Sequence, residues 1–170
     1  MNNKEWKSLL PNLMWVCGLK TYNAGPTIYA VLQQAYKIFD VIVVTDDGSE
    51  DETEEEFIRF TKDYTEKQCY FVKTGEWDPI PDLILERDHG NTANSHPKNK
   101  CHTKAQLKNW YVCKKNFPNE LYFSLEDDVI LYDPEDIRER IYNRIASWEE
   151  PMTDSEFFNT AFVIDKDYVR

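Results

Sequence analysis

The sequence predicts an α/β fold, a mostly parallel central sheet flanked by helices, as a single domain over residues 1–170. Three observations carry that expectation. Short β-forming runs alternate with stretches of helical periodicity along most of the chain. The connections between the runs hold helices, as parallel pairing requires. Polar clusters follow three of the strands, at the edge where such sheets bind their ligands.

Leu13 to Leu19 reads as a buried strand, and Lys20 to Gly25 as the loop leaving it. Pro26 suits the first turn of a helix, in which Ile28, Val31, Leu32, Ala35 and Tyr36 form an apolar stripe to about Lys37. Phe39 to Val44 is a β-branched run of the kind found in central parallel strands. It ends in the turn Thr45 to Ser49, where Gly48 accommodates positive φ. A helix is expected from Ser49 or Asp51, with Phe57, Ile58, Phe60 and Tyr64 at its apolar positions. The six acids between Glu50 and Glu56 suit the start of that helix, where negative charge complements the dipole.

Cys69 to Val72 is a third short strand, followed by a long irregular stretch from Gly75 to about Asn99. Helical spacing resumes from about Cys101 to Asn116, with Ala105, Leu107, Trp110, Tyr111 and Cys113 apolar. A central acidic strand begins at Leu121. Asp133-Pro134 then opens a helix carrying Ile137, Ile141, Ile145 and Trp148, and Phe157 to Ile164 reads as a last strand.

The composition excludes several classes. The chain has 20 Lys and Arg against 31 Asp and Glu, a net charge of −11, which disfavours a nucleic-acid partner. With 41% hydrophobic and 14% aromatic residues it is no disordered acidic tail. No apolar run approaches the roughly 20 residues of a membrane span, and the first residues lack a signal-peptide core. A reducing, cytoplasmic setting is therefore expected. The four cysteines have no C-x-x-C spacing, and Cys17 and Cys69 read as buried free thiols. His89, His96, Cys101 and His102 match no common zinc pattern.

The stretch from Leu121 to Leu131 organises the rest. Its β-forming start leads into Glu126, Asp127 and Asp128, and a second apolar run begins at Val129. Three adjacent carboxylates resist burial, so they belong where a strand opens onto a cleft and meets positive charge. Hard oxygen donors suit Mg²⁺ or Mn²⁺. By the sheet-edge rule the loop of Thr21, Tyr22 and Asn23, the pair Asp46 and Asp47, and the acid triplet should converge on one edge.

At this point the sequence resembles the nucleotide-sugar glycosyltransferases of the GT-A fold, especially family 2. Their Thr-Tyr-Asn loop is matched by Thr21-Tyr22-Asn23. Their second strand end, Val-Val-Asp-Asp-Gly-Ser-x-Asp, is matched by Val43 to Asp51 with Thr45 inserted, and their Asp-x-Asp metal motif by Glu126-Asp127-Asp128. The likeness covers roughly residues 13 to 132. It implies a metal-dependent, inverting hexosyl transfer from a UDP-linked sugar, with Mn²⁺ or Mg²⁺ offsetting charge on the leaving diphosphate. Asp128 would ligate the metal, and Glu126 would reach it through water or contact the ribose. Tyr22 would stack on the base, and Asp46 or Asp47 would accept its imide N–H. From His89 to Asn119 the chain holds six lysines and no acid, and Lys98, Lys100 or Lys104 could reach the diphosphate where the helix begins, with Lys100 and Lys104 carried forward as candidates. Lys108, Lys114 and Lys115 read as a solvated face.

The acceptor and the donor sugar are not encoded in these motifs. The carboxylates after the metal motif, Asp154, Glu156, Asp165 and Asp167, single out no catalytic base. A minimal or truncated transferase is expected, its acceptor side completed by an oligomer partner or a missing segment. The rival readings are a phosphotransferase, which lacks its Gly-rich phosphate loop here, and a non-catalytic domain that only binds a nucleotide or cation. A receiver-like signalling domain is the specific form of the latter, and its acids would follow the first and third strands.

Overall fold

In the computed structural model, Ser8 and residues 10–73, 108–129, 131 and 133–147 are described. A 3-10 turn at Leu10–Asn12 leads into β1 (Trp15–Thr21), α1 (Gly25–Ile38), β2 (Val41–Asp46), α2 (Thr53–Asp63) and β3 (Gln68–Lys73). Helix α3 occupies 108–116, and β4 (Leu121–Glu126) and α4 (Pro134–Ser147) follow. Among the described residues every pairing is parallel, and the strand order is β3-β2-β1-β4. The expected α/β architecture is the observed one. The irregular stretch from Gly75 to Asn99, the start of the helix expected at Cys101, Trp148 and the strand expected at Phe157 to Ile164 lie outside the described residues. No helix among the described residues is long and apolar enough to cross a membrane.

Three expectations shift. β1 and β2 run two residues further than their apolar runs, so Thr21 and Asp46 are strand residues paired in register and not loop residues. The acidic strand stands at one end of the described order, beside β1, and the inner strands are β1 and β2. In α2 the apolar stripe is narrower than expected. Phe57 and Phe60 are buried but Ile58 is 45% exposed, because only one side of this acid-rich helix meets the sheet.

Alternation along the strands sorts the core into two faces. Trp15, Cys17 and Leu19 of β1, Ile42 and Val44 of β2, and Leu121, Phe123 and Leu125 of β4 share a cluster with Ile28, Leu32 and Ala35 of α1 and Phe57 and Phe60 of α2. Each such fully buried side chain stabilises the fold by about 1.5–3 kcal/mol. Val16, Val41, Val43 and Tyr122 turn to the other face, against Val112 and Cys113 of α3. Burial pushes the Cys17 and Cys113 thiols well above their ordinary range, and Cys69 up to about 11, so these cysteines are protonated packing groups.

One polar side chain fixes α3 to the sheet. Asn109 is 1% exposed, and its amide donates to Val43 O at 3.0 Å and Thr45 Oγ1 at 2.8 Å. Its Oδ1 accepts the Tyr122 hydroxyl at 2.9 Å. This satisfied network fits because Gly18 lies beneath it: a Cβ there would stand 1.8 Å from Asn109 Oδ1 and 2.5 Å from the Tyr122 ring. On the opposite face Arg138 of α4 grips Asp40 through two bonds of 2.8 and 2.9 Å and donates to Ile38 O at 2.8 Å. Asp40 also accepts the Trp15 N–H at 2.9 Å. Burial pushes the Asp40 carboxyl up, but Arg138 and the Trp15 amide outweigh it and hold the group below the usual carboxylate range.

Two outcomes are expected. Gly18→Ala should destabilise the fold by about 1–3 kcal/mol in a urea melt, because the added methyl displaces both Asn109 and Tyr122. Asp40→Asn should lose about 1 kcal/mol or less at neutral pH, since both partners are about a third exposed and screened by water. A depressed folded-state pKa stabilises above the ordinary Asp value of about 3.9 and loses that effect as pH falls through the folded value. The deficit of Asp40→Asn should therefore vanish in melts taken well below that pH.

Candidate functional site

The loops that leave β1 and β2 are stitched together by side chains of the second. Ser49 Oγ accepts the Asn23 N–H at 2.8 Å and donates to Asp46. Thr53 Oγ1 accepts the Ala24 N–H at 2.8 Å and donates to Asp51. Asp51 accepts the Gly25 N–H at 2.9 Å, and Asn23 Oδ1 returns the contact by accepting the Glu50 N–H at 2.9 Å. The first turn of α1 is thus capped from the neighbouring loop, its own N-cap residue being Ala24. Burial raises the Asp51 carboxyl, but the Thr53 hydroxyl and the Gly25 and Thr53 amides prevail and hold it below the usual range.

Asp46 is buried and shapes the turn: its carboxylate accepts the Ser49 amide at 3.1 Å and the Gly48 amide at 3.3 Å. Gly48 takes the expected positive φ, 89°. Asp47 is half-buried and donates its N–H to Thr21 O at 3.0 Å, continuing the ladder between β1 and β2. Asn23 sits in the left-handed region at φ 51°, a conformation asparagine tolerates. The Tyr22 side chain is 56% exposed, which excludes a core-packing role.

The acid triplet divides three ways. Glu126, the last residue of β4, lies 2.7 Å from Lys20 Nζ. Asp127 accepts the Tyr22 N–H at 3.1 Å, and Asp128 is exposed. Strand alternation would have turned Asp127 away from the cleft. The strand ends at Glu126, however, so Asp127 and Asp128 follow a turn and Asp127 reaches back to the first loop. Beyond the turn Leu131 is buried and gives its N–H to Gln34 of α1. The three clusters expected at one edge are therefore joined, Asp127 to Tyr22 and Asn23 to Ser49 and Glu50. Lys100 and Lys104 lie outside the described residues, as do His89, His96, Cys101 and His102.

Lys20, expected in the loop, is a strand residue, 6% exposed. A lysine directly after an apolar run was the signal. Asn109 gave a weaker one, through the glycine it needs inside β1. Among the described residues no three His, Cys, Asp or Glu side chains form a metal-holding group. The exposed Asp128 and its neighbour fit a hard cation that keeps its waters and borrows a ligand's oxygens, and they do not fit an all-protein cage. A cavity of about 470 Å³, lined by Leu13, Trp15, Arg138 and Tyr142 among others, opens at the amino ends of the strands, away from these groups.

No protein-family model and no curated protein matches the chain. Solved structures do. A structure described as that of a mycobacterial protein aligns at a TM-score of 0.50 and 13% identity, over 88% of this chain and 42% of the other. Glucosyl-3-phosphoglycerate synthase from Mycobacterium tuberculosis, in complex with Mn²⁺, UDP and glucosyl-3-phosphoglycerate, aligns at 0.48 and 14%, over 88% and 45%. The same synthase with Mg²⁺ and UDP gives 0.48 and 15%, over 88% and 45%. The chain spans less than half the length of each. At such identities the likeness speaks for the fold, and the fold is the helix-flanked, parallel-sheet α/β arrangement of the GT-A type that the motifs led us to expect.

Proposed function

We propose that this chain is the donor-binding part of a metal-dependent glycosyltransferase that takes a UDP-linked sugar. One observation carries the reading: an exposed aromatic, a turn built on two aspartates and an acid triplet meet at the carboxyl ends of three neighbouring parallel strands. That edge is where a sheet of this kind binds a nucleotide. Tyr22 offers its ring to the uracil, and Asp46 or Asp47, at the end of β2 beside it, accepts the imide N–H of the base. Thr21 and Asn23 hold Tyr22 between them, Thr21 as the end of β1 and Asn23 through its left-handed turn.

Asp128 supplies the direct ligand for Mn²⁺ or Mg²⁺, and Asp127 braces the turn that presents it. When bound, such an ion offsets the negative charge that develops on the departing diphosphate. Lys100 and Lys104 are the proposed partners of the same diphosphate. Inverting transfer needs an acceptor hydroxyl deprotonated by a carboxylate. We assign that group, and the acceptor contacts, to none of the described residues.

Thermal-shift titrations test the reading. UDP should raise the melting temperature only when Mn²⁺ is present, and Asp128→Asn should remove that dependence. Tyr22→Ala should weaken UDP by about 1–3 kcal/mol, the range for losing a stacked aromatic, with little change in the melting temperature of the free protein. Stabilisation by UDP without metal would point to a non-catalytic nucleotide-binding domain, and no response to UDP would overturn the proposal.

A further inference from the structure

Lys20 stands in a row of three polar residues across the sheet. Parallel pairing sets it opposite Thr45 on one side and Glu126 on the other. All three project toward the α3 face, above the apolar patch of Val16, Val43 and Tyr122. A 6% exposed ammonium requires a counter-charge. Thr45 is engaged by Asn109, and Glu126 lies 2.7 Å away. The carboxylate of Glu126 is thereby matched before any ion arrives. A divalent cation drawn to it would stand within a few ångströms of a fixed positive charge. Asp128 carries no such burden: it lies exposed in the turn beyond the strand.

We propose that Lys20 is a built-in counter-ion that takes Glu126 out of the cation's ligand set and leaves cation binding to Asp128 together with a diphosphate. Lys20 is a positioning residue in this scheme, and its role toward the nucleotide rests on the function proposed above. Its effect on the metal does not, because the ion alone reads it out.

The test is Mn²⁺ binding to the full 170-residue chain, followed by the electron paramagnetic resonance signal of the free ion, with and without UDP. Lys20→Met should bind Mn²⁺ alone about tenfold more tightly than the wild type, the ratio that about 1.4 kcal/mol of relieved repulsion gives. Lys20→Arg, which keeps the charge, should behave as wild type, and adding Glu126→Gln to Lys20→Met should abolish the gain. In an otherwise wild-type chain, Glu126→Gln should leave Mn²⁺ affinity in the presence of UDP within about twofold, whereas Asp128→Asn should lose it. Glu126→Gln losing Mn²⁺ as fully as Asp128→Asn would overturn the inference even if Lys20→Met failed to fold. So would a folded Lys20→Met that gained no affinity. A gain in Lys20→Met with no response to UDP in any variant would uphold the role of Lys20 and sink the transferase reading instead.

Discussion

The candidate site depends on the register of three parallel strands. Trp15 pairs with Leu121 at one end of the β1–β4 ladder and Lys20 with Glu126 at the other, while Thr21 meets Asp46 across the β1–β2 ladder. Between these ends the alignment is held by shape, as where Gly18 lies beneath Asn109 and Tyr122. At the carboxyl end it is held by charge. Sliding β4 by one residue would turn Glu126 to the opposite face and strand a buried ammonium. The polar row near the carboxyl edge thus selects the alignment that the rest of the sheet accepts, and the same alignment brings the three loops together.

Much of this was legible in the sequence, for identifiable reasons. The strands and helices announced themselves through period and β-branching, and Gly48 through the turn it had to make. Strand ends were misjudged because hydropathy stops at Leu19 and Val44. Pairing continues past them, through polar residues of which Lys20 is paired with Glu126 and Asp46 is held by Ser49. The place of the acidic strand at the end of the described order could not be read locally, since crossovers and not the strand's own residues decide it. Asn109 reads in the sequence as one more polar position on a helix, with Gly18 its indirect trace, and its three-way contact with Val43, Thr45 and Tyr122 sets it apart.

The capping of α1 bears on where an anion binds. Helix N-termini attract phosphate through unpaired amides and the dipole. Here Thr53 and Asp51 already hold the amides of Ala24 and Gly25, and one of the two is a carboxylate. That end of α1 repels a diphosphate. Under the function proposed above, a diphosphate would draw its positive charge from other residues, the role proposed for Lys100 and Lys104 in a chain of net charge −11.

The cross-bracing between the first two loops has a thermodynamic side. A loop that is ordered only on ligand arrival loses conformational entropy at that moment, about 1–2 kcal/mol for each backbone residue fixed. Asn23, Ala24 and Gly25 are instead tied down by Ser49, Thr53 and Asp51 as part of the folded protein. The ordering is already complete when a ligand encounters the loops. Under the function proposed above, a flat ring settling beside Tyr22 would meet a surface prepared for it, and the contact energy would go into affinity and not into arranging the chain.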